Sequence, residues 1–492
     1  MHSQHNAPFF SLFNLPGRRF DEAALLRLGN AMRQPRNSMA NGNVPSGYVY
    51  FGQFLAHDLT RLKEADDLPV AQPADVGDLT QLRTPLLDLD SVYGSGYDDT
   101  AVPLNQGKFI IGAAVDLDNR PMRDSDLPRD PRTLAPLVPD DRNDDNLLVA
   151  QLHVQFLKLH NWFYERFRAG NWRLQPRQLY ALAREQMVLH YHEVVLHDFL
   201  QRLLDPLVWA HIVRDDAPGL WNPARNRGHG HDDAGAYPSM PVEFAGAALR
   251  FGHAMILPRY NINAEMELKL QDLFTMTGEG GFDRAPALPA ANVVDWRFFF
   301  DFAGYPRIAQ AEPRLNKSLA INDEVNITVP RLRRQHGQPF DSLASRNLIR
   351  ASQLQLPSGQ DVAQSLLAAP HARALCATIG FDERHAQATA NALQPEHNEA
   401  IRAAGGDLGT HTPLWYYLLL EAWTHARGLR LGKLGSLIVA DTIRGLVRLG
   451  PSGTESAARR PWIAATGAGG KLRITDLLYA VMQDVIQDQP GN

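Results

Sequence analysis

The chain's 492 residues are 44% hydrophobic and 21% charged, enough to bury a large core as one big domain or as two to three ordinary ones. A net charge of −5 with pI near 6.4, and no Lys/Arg block or basic-aromatic ladder, excludes nucleic acid as an expected partner. No apolar run approaches the ~20 residues of a membrane span, and the polar start Met1-His2-Ser3-Gln4-His5-Asn6 lacks a signal peptide's basic and apolar parts, so the expected location is cytoplasmic, with non-Sec secretion left open.

Residues 1 to 46 are Asn-, Pro- and Arg-rich and read as an arm wrapped on the body, with one short helix at Glu22 to Met32. The arm proper is placed at 1–40, the main domain at 41–480 and a tail at 481–492. The stretch Phe51-Gly52-Gln53-Phe54-Leu55-Ala56-His57-Asp58-Leu59-Thr60 comes next. At ~100° per residue Phe51, Phe54, Leu55 and Leu59 form one apolar stripe, while Gln53, Ala56, His57 and Thr60 recur at i, i+3, i+4, i+7 on another. One helix therefore offers an imidazole to a pocket and, about 100° round, the Asp58 carboxylate to its flank. Taken alone, the pattern reads as a core histidine beside a solvated aspartate.

Arg61 to Leu82 is an acidic, Pro-bearing loop leading to Thr84-Pro85-Leu86-Leu87-Asp88-Leu89-Asp90-Ser91. Thr84, Asp88 and Asp90, with the Leu86 carbonyl between them, present oxygens at alternating spacing, a supply suited to a hard cation such as Ca²⁺, although by itself the segment is an ordinary Asp-rich turn. Residues 96 to 145 read as a long covering loop with one hairpin around Lys108 to Leu117, ending at Asp141-Arg142-Asn143-Asp144-Asp145-Asn146. Two strongly apolar helices follow, Leu147 to Phe167 and Gln178 to Leu204. His192 and His197 in the second are five apart, about 140° around the axis, which rules out a zinc helix that needs a spacing of four. A Gly/His-rich loop at 226–233 precedes Pro241 to Met255, read as a helix whose small residues permit close approach of a flat partner and whose Gly252 leaves the His253 ring accessible. Helical patterns return at Phe340 to Ala351, Gly359 to Leu367, Pro413 to Thr424 and Gly432 to Val447. The single Cys376, in Ala-rich apolar surroundings, reads as an inert core thiol and rules out an internal disulfide. Strand signals are few, so the fold class is mainly α without internal repeats.

Four separated blocks, in order, resemble the animal-type haem peroxidases, the peroxidase–cyclooxygenase superfamily, and look most like its bacterial members. They are Gly52-Gln53…His57-Asp58; Thr84…Asp88…Asp90-Ser91-Val92-Tyr93-Gly94-Ser95; Arg142-Asn143-Asp144-Asp145 leading into Gln151-Leu152-His153…His160-Asn161; and Arg250-Phe251-Gly252-His253 followed by Asn347. The resemblance runs from about Asn41 to Leu478 and implies one haem peroxidase-like domain with haem between central helices. It implies that His253 is the proximal iron ligand, with Asn347 accepting its other N–H and Arg250 pairing with a haem propionate. On the distal side it implies His57 as the acid–base group for H₂O₂, Arg142 as the cation that steadies charge on the departing oxygen, and Gln53 as a hydrogen-bonding partner in the pocket. Asp58, Thr84, Leu86, Asp88 and Asp90 would hold a structural Ca²⁺ that fixes where His57 points.

Mammalian members attach haem through an Asp and a Glu ester; Ala56 stands at the first position and Asp145 at the second, so the expected cofactor is haem b or an ester-modified haem with at most one link, through Asp145. Fatty-acid oxygenases of the superfamily carry a radical-forming Tyr three residues before the proximal His, where this chain has Arg250. The implied function is a peroxidase that reduces H₂O₂ and oxidises a halide or small organic donor through ferryl intermediates. The alternatives are a haem-dependent oxygenase in a biosynthetic route and a haem-binding protein without turnover.

Overall fold

The computed structural model describes residues 7–34, 41–62, 79–98, 101–116, 118, 120–170, 172–221, 239–277, 288–305, 308, 315–329, 342–449, 462–465 and 470–487. The Gly/His-rich stretch 226–233 and most of the acidic loop before Thr84 lie outside them.

The helix around His57 spans Gly47–Leu59. Phe51, Phe54, Leu55 and Leu59 are fully buried, at roughly 1.5–3 kcal/mol each, which offsets the cost of burying His57 and Asp58 on the same element. It stops at Thr60, whose backbone turns extended and whose Oγ1 donates to Ala56 O at 2.9 Å. It packs against the long helix Leu147–Gly170, and that helix packs on Pro176–Val194. The second of the two long helices is not continuous as expected: a π-helical turn interrupts it at Val195–Phe199 before Leu200–Leu203 completes it. Such a turn adds one residue to the helical ladder and re-aims the side chains around it, and here it turns Phe199 towards the central cavity.

Pro241 to Met255 also departs from the expected single helix. Val242–Gly246 is α-helical, Ala247 breaks the run, and Ala248–Met255 winds as a 3₁₀-helix. At three residues per turn, Arg250 and His253 stack one above the other, so both reach the same cavity wall. Elsewhere helices form at Leu343–Gln353, Gly359–Ala368, Leu414–Ala426 and Lys433–Leu449, each within a few residues of its apolar pattern. Arg373–Ile379, Glu383–Ala392, Glu399–Ala404 and Ile474–Gln487 were not foreseen. Arg373–Ile379 and Glu399–Ala404 are too short to show two full turns of pattern.

The sheets are small. The covering segment holds two hairpins rather than one, Leu104–Asn105 with Lys108–Phe109 and Gly112–Val115 with Pro121–Asp126. The first closes on Gln106 and Gly107, both at positive φ, the turn that matches strand twist. In the N-terminal arm, Ala7–Phe10 pairs antiparallel with Thr80–Gln81 on one side and parallel with Met240–Pro241 on the other. The arm helix Glu22–Met32 packs on Leu343–Gln353 and Glu399–Ala404. Among the described residues no helix is long and apolar enough to cross a membrane.

Candidate active site

A cavity of about 300 Å³ opens between the Gly47–Leu59 helix and the 3₁₀ segment. Gln53, Ala56, His57, Arg142 and Asp145 line one wall, and Arg250, Gly252 and His253 line the other, with Phe199, Leu249, Ile256, Phe274 and Ile327 between them. The i, i+3, i+4 spacing on the first helix and the three-residue turn on the second account for the convergence.

His57 places Nδ1 2.9 Å from Asn143 Oδ1. Burial, helped by the Arg142 cation, pushes the imidazole down to about 4, so it is neutral at physiological pH. Arg142 is the most constrained residue here. Its Nη2 donates to His57 O at 2.9 Å and its Nη1 to Thr60 O at 2.7 Å, so it caps the C-terminal carbonyls of the His57 helix. Its Nε and Nη2 grip Asp140 at 3.0 and 2.7 Å. Asp140 is fully buried and also meets Arg83 Nε at 2.8 Å and Arg61 Nη1 at 3.2 Å. These arginines hold its carboxyl far below the usual carboxylate range despite burial. Gln53 Oε1 accepts from Asn146 Nδ2 at 3.2 Å, and Asn146 in turn caps the Leu147–Gly170 helix through Leu148 and Val149. Asp145 lines the cavity with an exposed side chain, and partial desolvation there pushes its carboxyl up to about 7 against the pull of Arg142.

On the opposite wall, burial and then the Arg250 charge push His253 down to about 3. A side chain at Gly252 would meet nothing within 4 Å, so the space beside the ring is open. The expectation that Asn347 accepts from His253 is not met. Asn347 Oδ1 accepts from Arg250 Nη1 at 3.3 Å, and its Nδ2 donates to Leu343 O at 3.0 Å and lies 2.8 Å from His253 Nδ1. The guanidinium only donates and the carbonyl only accepts, so the two fix the amide this way round. Burial, with Arg350, Arg142 and Arg346 adding repulsion, pushes Arg250 down to about 10. A cavity end this rich in cations favours an anionic ligand group.

The family model of animal haem peroxidases matches residues 72–283, a stretch that contains Thr84 to Asp90, Arg142, Arg250 and His253 and begins after the His57 helix. "Heme peroxidase 2" of Caenorhabditis elegans is 28% identical over 174 residues, covering 34% of this chain and 23% of that protein. Residues 72–283 of the chain are thus similar to the animal haem peroxidases. Among solved structures, peroxidase A from Dictyostelium discoideum superposes with a TM-score of 0.56 at 15% identity, over 93% of this chain and 92% of that one. A fatty acid alpha-dioxygenase of Oryza sativa, solved with palmitic acid, gives 0.56 at 13% identity over 96% and 79%. The fold is thus shared equally with a peroxidase and with an oxygenase.

The chain carries a second cluster behind the helix. Asp58, Asp88 and Asp90 bring carboxylate oxygens within 4.8 Å of one another. Asp58 is fully buried, accepting from Leu89 N, Ser91 N and Ser91 Oγ at 3.3–3.4 Å. Thr84 donates from N to Asp90 at 3.0 Å and from Oγ1 to Asp88 at 2.6 Å. The buried Asp90 Oδ1 has no partner among the described residues. Leu87 and Leu89, on either side of Asp88, sit at positive φ, a conformation that costs a branched side chain about 1 kcal/mol or more. Burial and the neighbouring Asp88 push Asp58 up to about 7, and burial with Asp58 pushes Asp90 well up. Carboxylates this close and this dry suit a hard cation. Asp140 and Asn143 are the site residues that the sequence did not disclose. The only signal for either was its place beside Arg142.

Proposed function

We propose that the protein is a haem peroxidase that reduces H₂O₂ at the expense of a halide or a small organic donor. The observation that carries this reading is a neutral, Nδ1-anchored His57 beside Arg142, across one cavity from His253. His253 would hold the iron. Its neutrality, the open space at Gly252 and the positive charge of Arg250 fit an apolar macrocycle with anionic side groups. Bound haem would supply the redox centre that takes oxidising equivalents from peroxide and passes them to the donor. Arg250 would engage a propionate.

The chain's own part is proton handling. His57 Nε2 would take the proton from one oxygen of H₂O₂ and return it to the other, at a basicity too low to trap it. Arg142 would steady the negative charge on the departing oxygen with its remaining N–H. Gln53, tethered to Asn146, would order water or an anion beside them. Asp145, on the cavity wall, would be the position for a single ester link to the cofactor, Ala56 having no carboxyl. Asp58, Thr84, Leu86, Asp88 and Asp90 would bind Ca²⁺ as a structural ion.

His57→Ala in the haem-loaded chain should slow the peroxide step, followed by stopped-flow absorbance, by roughly a hundredfold or more with haem content unchanged. The double variant with Arg142→Ala should lose less than the product of the two, because both act on one O–O cleavage. Reaction of His57→Ala at the wild-type rate would leave His57 a core histidine and favour a haem protein without turnover. A second reading, a haem-dependent oxygenase, is favoured by the equal likeness to the alpha-dioxygenase fold. It predicts O₂ uptake with a fatty acid and little guaiacol turnover with H₂O₂.

A further inference from the structure

Asn143 is fully buried one residue after Arg142, and its amide touches three groups. Nδ2 lies 3.3 Å from the Ser91 carbonyl and 3.0 Å from His153 Nδ1, and Oδ1 lies 2.9 Å from His57 Nδ1. The backbone carbonyl of Ser91 can only accept, so the amide nitrogen must face it and the amide oxygen must face His57. An oxygen acceptor at Nδ1 requires the proton there, which leaves Nε2 as the lone-pair nitrogen of a ring that lines the cavity. Ser91 itself donates from N and Oγ to Asp58. One short path therefore runs from the acidic cluster through Ser91 and Asn143 to the imidazole.

We propose that Asn143 is the positioning residue that fixes the tautomer and aim of His57, taking its own orientation from the Ser91 carbonyl of the carboxylate loop. The catalytic consequence rests on the peroxidase reading; the tautomer does not. A neutral His57 with its proton on Nε2 would present a donor where the reaction needs a base, so loss of this anchor removes the productive form without removing the ring. His153 gains the complementary role, accepting at Nδ1 and holding the far side of the amide still.

The test is ¹⁵N-histidine NMR of the haem-free chain at neutral pH, with the His57 signal assigned by its loss in His57→Gln. The expected wild-type spectrum has His57 protonated at Nδ1 and bare at Nε2. Asn143→Leu should convert at least half of the population to the Nε2–H form, whereas Asn143→Asp, which keeps an acceptor at Nδ1, should retain the wild-type tautomer. In haem-loaded protein Asn143→Leu should slow the peroxide step roughly tenfold or more with the donor KM unchanged. A wild-type His57 protonated at Nε2, or one whose tautomer is indifferent to Asn143→Leu, overturns the proposal. If Asn143→Leu fails to fold, Asn143→Ala takes its place, and a His57 tautomer unchanged in that variant overturns the proposal. An Nδ1–H tautomer in a chain that does not react with peroxide would sink the peroxidase reading and leave this one standing.

Discussion

Arg142 commits four of its five N–H groups to Asp140 and to two helix-end carbonyls. Its charge is thereby shared with a carboxylate that also faces Arg61 and Arg83. Removing that carboxylate leaves three cations near one another, and breaking a buried ion pair costs on the order of 3–5 kcal/mol. Asp140→Asn should lower the stability of the haem-free chain by about that much in urea denaturation. A loss below roughly 1 kcal/mol, the worth of an exposed pair, would show that solvent already screens the cluster. At this scale the sequence was partly legible. Gln53 and His57 could be paired from their spacing on one helix, because a helix repeats every 3.6 residues. Asn143 could not be assigned to His57, 86 positions away, since no local rule connects a 3₁₀ turn to a helix that far upstream.

At the scale of elements, the loop carrying Asp88 and Asp90 and the helix carrying Asp58 are held together by groups that repel when ionised. An acid whose folded pKa is raised keeps its proton in the folded chain at pH values where the unfolded chain has released it. For Asp58, pushed up to about 7, stability without a cation therefore falls as pH rises from about 4 to 7. A bound cation needs these oxygens ionised, so its stabilising effect grows across the same window. The gain in melting temperature on adding millimolar Ca²⁺ over a chelator should be small at pH 5 and large at pH 7.5, and Asp88→Ala should abolish it. A gain independent of pH, or one that survives Asp88→Ala, would assign the effect to other sites. The loop's oxygens were legible from their alternation. The π turn at Val195–Phe199 and the 3₁₀ winding at Ala248–Met255 were not, because an apolar pattern does not distinguish ladders that differ by one residue per turn.

For the whole molecule, the mainly α class was legible from long apolar periodicities, while the sheet Thr80–Gln81, Ala7–Phe10, Met240–Pro241 was not. Its strands are two to four residues long and lie far apart in sequence, so pairing rather than propensity makes them. The arm is fastened a second time where Ser11 Oγ and Leu12 N donate to Glu243 at 2.6 and 3.0 Å. Glu243 is fully buried, and hydrogen bonds to a charged acceptor contribute about 1.5–3 kcal/mol each. Glu243→Ala should therefore destabilise the chain by roughly 2 kcal/mol or more and weaken haem retention in apomyoglobin exchange, with Glu243→Gln closer to wild type. Unchanged stability and retention in Glu243→Ala would mean that the arm is not coupled to the cavity.

The strand Ala7–Phe10 joins the segment before the carboxylate loop to the segment that begins the His253 wall. Its second anchor lies 231 positions downstream, at Glu243. At the ~5–20 residues per second of protein synthesis, that separation is roughly 10–50 s. Through that interval a nascent chain carries Phe9 and Phe10 on a strand edge whose parallel partner does not yet exist, a template for pairing with other chains. The berth for a cofactor is therefore settled late in translation, and a ribosome that stalls before residue 240 releases a chain with one wall and nothing to close against.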